Sequence, residues 1–215
     1  MSDSRATRDS YDRVAERYAA EVGGELAHKP LDRALLDVFA ELTAGGTVVD
    51  AGCGPGHVAA YLAARGAEVL GVDLSPGMCA VADRDSVLPV LAADMTALPF
   101  QDAALAGVVS LYAVIHLGGD ARLAAYREFA RVLRPGGHAL IAFHTSDAET
   151  PTGGARTRAD WWDQPVDLTF HFLDPNQEVR ALEVAGLDLV ARLDREPVPE
   201  HEHPSRRSYL LLRLR

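Results

Sequence analysis

The chain has 215 residues, 48% of them hydrophobic, and 21 basic against 31 acidic side chains give a formal net charge of −10. That length suits one domain with a large core, and the acidic balance disfavours nucleic-acid phosphates and anionic membranes as partners. Two cysteines, Cys53 and Cys79, form no Cys-x-x-Cys pair, which excludes a disulfide framework and predicts a cytoplasmic setting; no apolar run behind Met1–Arg5 suggests a signal peptide, and none approaches the ~20 residues of a membrane span.

Tyr11, Val14, Ala15 and Tyr18 fall at i, i+3, i+4 and i+7, which predicts a helix with one apolar face. After Gly23-Gly24, Pro30 suits a first helical position, and Leu31, Leu35, Val38, Phe39 and Leu42 make the next apolar stripe, closed by Gly45-Gly46. Strands and helices then alternate. Strands are expected over 47–51, 67–73, 87–92, 104–111 and 138–143, and helices over 57–65, 76–82 and 120–133. Asp120 is placed to cap the last helix and Pro135-Gly136-Gly137 to break it. Residues 145–170 read as loop. A helix starts at Asp174-Pro175, with Gln177 placed for a capping box, and ends at Gly186. Strands over 187–193 and 208–214 follow, joined through an exposed hairpin connection over 196–205. The alternation predicts an α/β fold with a parallel sheet covered on both faces, and ligands at the carboxyl ends of its strands.

The turn after the first strand is Asp50-Ala51-Gly52-Cys53-Gly54-Pro55-Gly56. Glycines there let the backbone bend and approach a ligand closely. It lacks the Gly-Lys-Ser/Thr ending of a phosphate loop, and His57 stands where a dinucleotide fingerprint needs its third glycine. Asp73 ends the second strand, 21 residues after Gly52, where a carboxylate can accept both ribose hydroxyls of an adenosine ligand. Asp94 follows the third strand, in reach of an adenine amino group, and Met78 is placed to pack on an adenine face. Taken singly, each aspartate also reads as a helix cap and Met78 as core.

These segments, with Leu98-Pro99-Phe100, Arg131-Val132-Leu133-Arg134-Pro135-Gly136-Gly137 and the opening Tyr11-Asp12-x-x-Ala15-x-x-Tyr18, resemble class I S-adenosylmethionine (SAM)-dependent methyltransferases of the small-molecule branch. The resemblance implies a Rossmann-like, seven-stranded, mostly parallel sheet with an antiparallel last strand, and SAM as cofactor. It implies a single domain over 1–215: an N-terminal helical lid (1–43), a SAM-binding core (44–144), an acceptor-side loop (145–172) and a C-terminal helix and hairpin (173–215). Gly52 and Cys53 would hold the methionine part of SAM, Asp73 the ribose, and Asp94 and Met95 the adenine. A carbonyl of Ser110 or Leu111 would meet the methionine amino group, and Tyr18 its carboxylate. Asp50, Gly54, Leu74 and Met78 complete the implied cofactor site, and Tyr11 would lie near the transferred methyl.

The implied reaction moves a methyl to O, N, S or C of a small-molecule acceptor. The protein's share is alignment, exclusion of water and, for a protonated nucleophile, a base titrating near the working pH. His116, after the fourth strand, is the candidate base, with a structural histidine as its alternative. Tyr112, His144, Trp161, Trp162 and His171 are candidates for the acceptor pocket, with Phe170 and Phe172 beside them; a satellite cluster pinning a long loop is the other reading. His201, Glu202 and His203 alternate on an exposed connection without further ligands, so no metal is expected. The competing functions are a non-catalytic SAM-binding sensor and, less compatible with the spacing at His57, a nicotinamide-dependent oxidoreductase. Neither the acceptor nor the oligomeric state is legible.

Overall fold

A computed structural model describes residues 4–86 and 88–215. Its strands are β1 (Thr47–Ala51), β2 (Glu68–Asp73), β3 (Val90–Ala92), β4 (Leu105–Leu111), β5 (Leu133–Asp147), β6 (Ala155–Trp161), β7 (Gln164–His171), β8 (Leu187–Arg195) and β9 (Ser205–Leu214). Its helices are α1 (Ser4–Val22), α2 (Pro30–Leu42), α3 (His57–Ala63), α4 (Pro76–Ser86), α5 (Gly119–Val132) and α6 (Pro175–Val184). Seven strands form one sheet in the order β3-β2-β1-β4-β5-β9-β8, and β6-β7 form a second. Pairs from β3 through β5 are parallel; β9 runs antiparallel to both β5 and β8. The seven-stranded Rossmann-like sheet with its antiparallel last strand is therefore as expected. Val87 and residues 1–3, part of the expected third strand and lid, lie outside the described residues.

Central β4 is buried along nearly its whole length, which is why its sequence lacks polar alternation. Successive strand residues feed opposite cores. Ile141 and Leu210 pack with Phe129 on one side of the sheet, while Leu140 and Leu211 pack with Leu36, Phe39 and Leu62 on the other. Among the described residues no helix is long and apolar enough to cross a membrane.

Several expectations are corrected. Residues 145–170 are not loop: β5 continues to Asp147, and β6 and β7 form a hairpin with Trp161 opposite Gln164. Its two turn residues, Trp162 (φ 53°) and Asp163 (φ 61°), both take the left-handed conformation that hairpin turns ordinarily assign to Asn-Gly. The connection to β9 is not simply exposed, because Glu202 is buried within it, its side chain 1% accessible. Gly118, not Asp120, occupies the cap position of α5, without a side-chain bond. Asp174 does cap α6, accepting from the backbone N–H groups of Asn176 and Gln177. The Gln177 amide reaches only the Asp174 carboxylate at 3.5 Å, so no reciprocal box forms.

Helix α1 is fastened at both sides of its buried face. Val14 packs with Val166 and Leu168 of β7, and Ala15 with Met78 and Val81 of α4. The buried Ser10 hydroxyl donates to Ala6 O (2.7 Å) and accepts from the Asp167 N–H (2.8 Å). Asp12 Oδ1 accepts from Ser75 Oγ (2.5 Å) and the Gly77 N–H (2.8 Å), serving as a borrowed cap at the start of α4.

Candidate functional site

The glycine turn makes the floor of a cavity of about 240 Å³ at the carboxyl ends of β1, β2 and β4. Gly52 sits at φ +81°, and a Cβ there would lie 2.2 Å from Ala113 Cβ. Only glycine lets this turn close against the loop after β4. Tyr18, Gly52, Gly54, Asp73, Leu74, Met78, Asp94, Met95 and Leu111 all line the cavity. Three expected cofactor residues do not, and stand behind its wall. Cys53 is buried, its N–H donating to Val72 O (3.0 Å) and its carbonyl accepting from Gly56 N–H (2.9 Å), and its thiol is pushed up by burial. Ser110 is buried with its hydroxyl on Ala51 O at 2.7 Å. Asp50 is buried under the turn with one carboxylate oxygen unpartnered, and burial pushes its carboxyl up to about 7.

The two lining aspartates keep acceptor capacity free. Asp73 Oδ1 accepts from the Ser75 N–H at 2.9 Å and Oδ2 from the Gly54 N–H at 2.8 Å. The Leu74 N–H also bears on this carboxylate, and of its about four acceptor positions at least one stays free. Burial raises the Asp73 pKa, opposed by those N–H groups. Asp94, which lines the cavity, takes both the N–H and the hydroxyl of Thr96 on Oδ1, at 2.8 Å each, and among the described residues its Oδ2 accepts no hydrogen bond. Free acceptor capacity at Asp73 and at Asp94 fits the hydroxyls of a ribose and an exocyclic amine, so this pair of acceptors suits adenosine.

A second cavity, about 340 Å³, adjoins the first. Tyr11, Tyr18, Tyr112 and His116 line both and form the wall between them. On the far side stand His144, Trp161, Phe170 and Phe172. Tyr11 and Tyr18 contact Trp161 edge to face, with ring centroids 6.2 and 5.6 Å apart. In the wall, the Tyr11 hydroxyl is 2.7 Å from His116 Nε2, and His116 Nδ1 is 3.0 Å from the Thr169 carbonyl. Burial brings His116 down to about 4 and holds the Tyr11 phenol well above its ordinary range. Tyr112, at φ 59°, stacks on His144 (5.0 Å), which burial and the Arg207 charge bring down to about 3.

Trp162 and His171, expected in the acceptor pocket, line neither cavity. Trp162 stacks behind Trp161 at 4.7 Å, and His171 points to the side of the hairpin where Arg122 and Glu178 act on it. Phe172 and Phe170 do reach the second cavity. His201 stacks on His28 (3.8 Å) and His203 pairs with Asp147 (3.2 Å). Among the described residues no three His, Cys, Asp or Glu side chains are grouped to hold a metal. Glu202 instead binds Arg195 at 2.6 Å and Lys29 at 3.2 Å, and Asp32 accepts from Arg195 (2.7 Å) and the Tyr209 hydroxyl (2.8 Å). Tyr209 in turn hydrogen-bonds Tyr112, so a buried polar cluster supports the floor of the second cavity. Lys29, Arg207, Arg158 and the Thr169 carbonyl were not foreseen. Arg158 alone had a local signal, in the alternation Arg156-Thr157-Arg158.

Residues 49–141 match the family described as "Methyltransferase domain". The malonyl-[acyl-carrier protein] O-methyltransferase of Salmonella typhimurium is 37% identical over 122 residues, covering 55% of this chain and 47% of that one. Methyltransferase GfsG of Streptomyces halstedii is 37% identical over 132 residues, covering 57% and 44%. The chain thus spans about half the length of the curated relatives it matches. A solved SAM-dependent methyltransferase of Methanosarcina mazei superposes with a TM-score of 0.73 at 14% identity, covering 82% of this chain and 96% of that one, a likeness of fold.

Proposed function

Residues 49–141 match a methyltransferase-domain family, and from that premise we propose that the chain is a class I SAM-dependent methyltransferase that moves the methyl of SAM onto a small-molecule acceptor held in the second cavity. The observation carrying this reading is the shared wall: Tyr11, Tyr18, Tyr112 and His116 face both cavities, so a donor in one and an acceptor in the other meet across it. In the first cavity Asp73 takes the ribose hydroxyls, Asp94 the adenine amine, and Met78 and Met95 the apolar faces. When bound, SAM supplies a methyl already activated on a sulfonium sulfur.

The remaining work falls to the wall. The Thr169 carbonyl can only accept, so His116 carries its proton on Nδ1 and its bare Nε2 accepts from Tyr11. The Tyr11 oxygen then faces the acceptor with free lone pairs. An acceptor O–H donates to that oxygen, Tyr11 passes its own proton to Nε2, and His116 ends as imidazolium beside a buried wall that favours its return to neutrality. A protonated nucleophile, a hydroxyl foremost, is the acceptor this arrangement serves. Helix α1 and the β6-β7 hairpin exclude water from the wall.

Calorimetry with SAM, S-adenosylhomocysteine and NAD, followed by turnover of methyl-labelled SAM with a panel of hydroxylated small molecules, tests the reading. Binding of both sulfur nucleosides with label transfer is expected. NAD binding without SAM binding would overturn it, and SAM binding without transfer to any acceptor would favour the sensor.

A further inference from the structure

We propose that the acceptor carries a carboxylate remote from the methylated atom and that Arg158 receives it at the rim of the second cavity; this rests on the acceptor reading of that cavity. Four cations line it: Lys29, Arg156, Arg158 and Arg207. Three are already held by acids. Lys29 Nζ lies 2.7 Å from Glu25 and 3.2 Å from Glu202. Arg156 lies 2.8 Å from Asp147 and 2.9 Å from Glu149. Arg207 lies 3.4 Å from Glu202 and donates to two backbone carbonyls.

Arg158 differs. Among the described residues no acid pairs with it, and its guanidinium carbon instead sits 5.1 Å from the centre of the Trp161 ring. That stacking orients the guanidinium without neutralising it. His116 in the wall and His144 on the far side, neutral in their buried settings, add no positive charge beside it. In a chain of net charge −10, long-range attraction does not bring anions to this cavity. An uncompensated arginine lining it supplies the local attraction, and a guanidinium fork matches a carboxylate. One such cation balances one charge, which favours a monocarboxylate over a phosphate dianion. Trp161, Phe170 and Tyr11 line the same cavity and give it aromatic surface for a flat apolar body between the acid and the wall.

The chain's two tryptophans, Trp161 and Trp162, both lie at this hairpin, so intrinsic fluorescence reports occupancy of the cavity. The probes are 4-hydroxyphenylacetate and 4-hydroxybenzoate, each against its neutral carboxamide, with and without S-adenosylhomocysteine, and calorimetry as a cross-check. In the wild type the acids are expected to bind at least about tenfold more tightly than the carboxamides. Arg158→Gln should erase that preference and Arg158→Lys keep part of it. Arg156→Gln, which removes the same charge from an already paired site, should leave it. Circular dichroism confirms that each variant is folded. Equal affinity for acid and amide, no binding of any probe, or a preference that survives Arg158→Gln overturns the proposal. The readout needs no methyl transfer, so its failure is distinct from failure of the labelled-SAM experiment.

Discussion

The Tyr11 hydroxyl lies 2.7 Å from Nε2 of His116, so helix α1 and the loop after β4 meet in one phenol–imidazole hydrogen bond. The hairpin enters the same unit, because the Thr169 carbonyl holds the opposite ring nitrogen at 3.0 Å. Three segments distant in the chain thus set one proton's position.

If this pair accepts the proton of an acceptor hydroxyl, His116→Ala should lower kcat by roughly a hundredfold or more. Cofactor affinity should change far less. Tyr11→Phe should cost less than His116→Ala, since Nε2 remains able to take the proton. Equal losses in kcat and in S-adenosylhomocysteine affinity would assign both residues to binding alone.

The pH dependence follows from burial. His116 and His144 are brought from 6.5 to about 4 and about 3, chiefly by burial. The unfolded chain takes up these protons first, near its own pKa. Their contribution to stability is therefore complete above about pH 6.5 and is lost as pH falls through the folded values of about 4 and about 3. Asp50 works oppositely: raised from 3.8 to about 7, it stabilises at low pH and loses that contribution as pH rises through about 7. The histidine contribution is read as the difference between wild type and His144→Phe in a melting series from pH 8 to 4; parallel curves would contradict it. For the same reason the rate should show no histidine limb near 6.5.

Asp73→Asn should weaken S-adenosylhomocysteine binding by at least about a hundredfold, as two hydrogen bonds to a charged acceptor at ~1.5–3 kcal/mol each are lost. The amide also turns an N–H toward the Gly54 or Ser75 N–H that the carboxylate now accepts. Calorimetry on a variant with wild-type circular dichroism decides the matter, and unchanged affinity would remove Asp73 from the ribose site.

Gly52→Ala should destabilise the fold by roughly 2–5 kcal/mol, from left-handed strain and overpacking. The new methyl would stand 2.2 Å from Ala113 Cβ and 3.1 Å from Met95 Cε. A denaturation midpoint equal to that of the wild type would mean that the loop after β4 yields freely.

Asp12→Ala should free α1 locally, at a cost of ~0.5–2 kcal/mol for the lost cap. Hydrogen exchange over residues 4–22 should quicken while the sheet's protection stays unchanged. Uniform exchange in both proteins would show that packing against β7 alone holds the helix.

The legible parts share a physical property: their signals are local. The apolar run of β4 and the strand-end positions of Asp73 and Asp94 can be found within a few residues of each site. The β6-β7 hairpin escaped because Trp162-Asp163 is not an ordinary left-handed turn pair and because its buried Val166 and Leu168 gain meaning only against Val14 of α1. The Thr169 contact is made by a backbone carbonyl, which any residue type would supply. Glu202 read as exposed because its partners Lys29, Arg195 and Arg207 converge only in three dimensions. Cys53, Ser110 and Asp50 stand within the motifs yet behind the cavity wall, since strand neighbours alternate in direction and the Gly52 and Cys53 N–H groups of the turn are taken by the Val72 carbonyl of β2.

The β6-β7 hairpin contributes to the second cavity and to none of the lining of the first. If the second cavity holds the acceptor, the hairpin's share in recognising it is separated along the chain from the donor site, the two meeting only at the shared wall. Residues 155–171 can diversify in length, charge and aromatic content while the glycine turn and its aspartates stay unaltered, provided a backbone carbonyl still meets His116. For an engineer the hairpin is a replaceable cassette: exchanging it should redirect acceptor choice and leave the affinity for S-adenosylhomocysteine untouched.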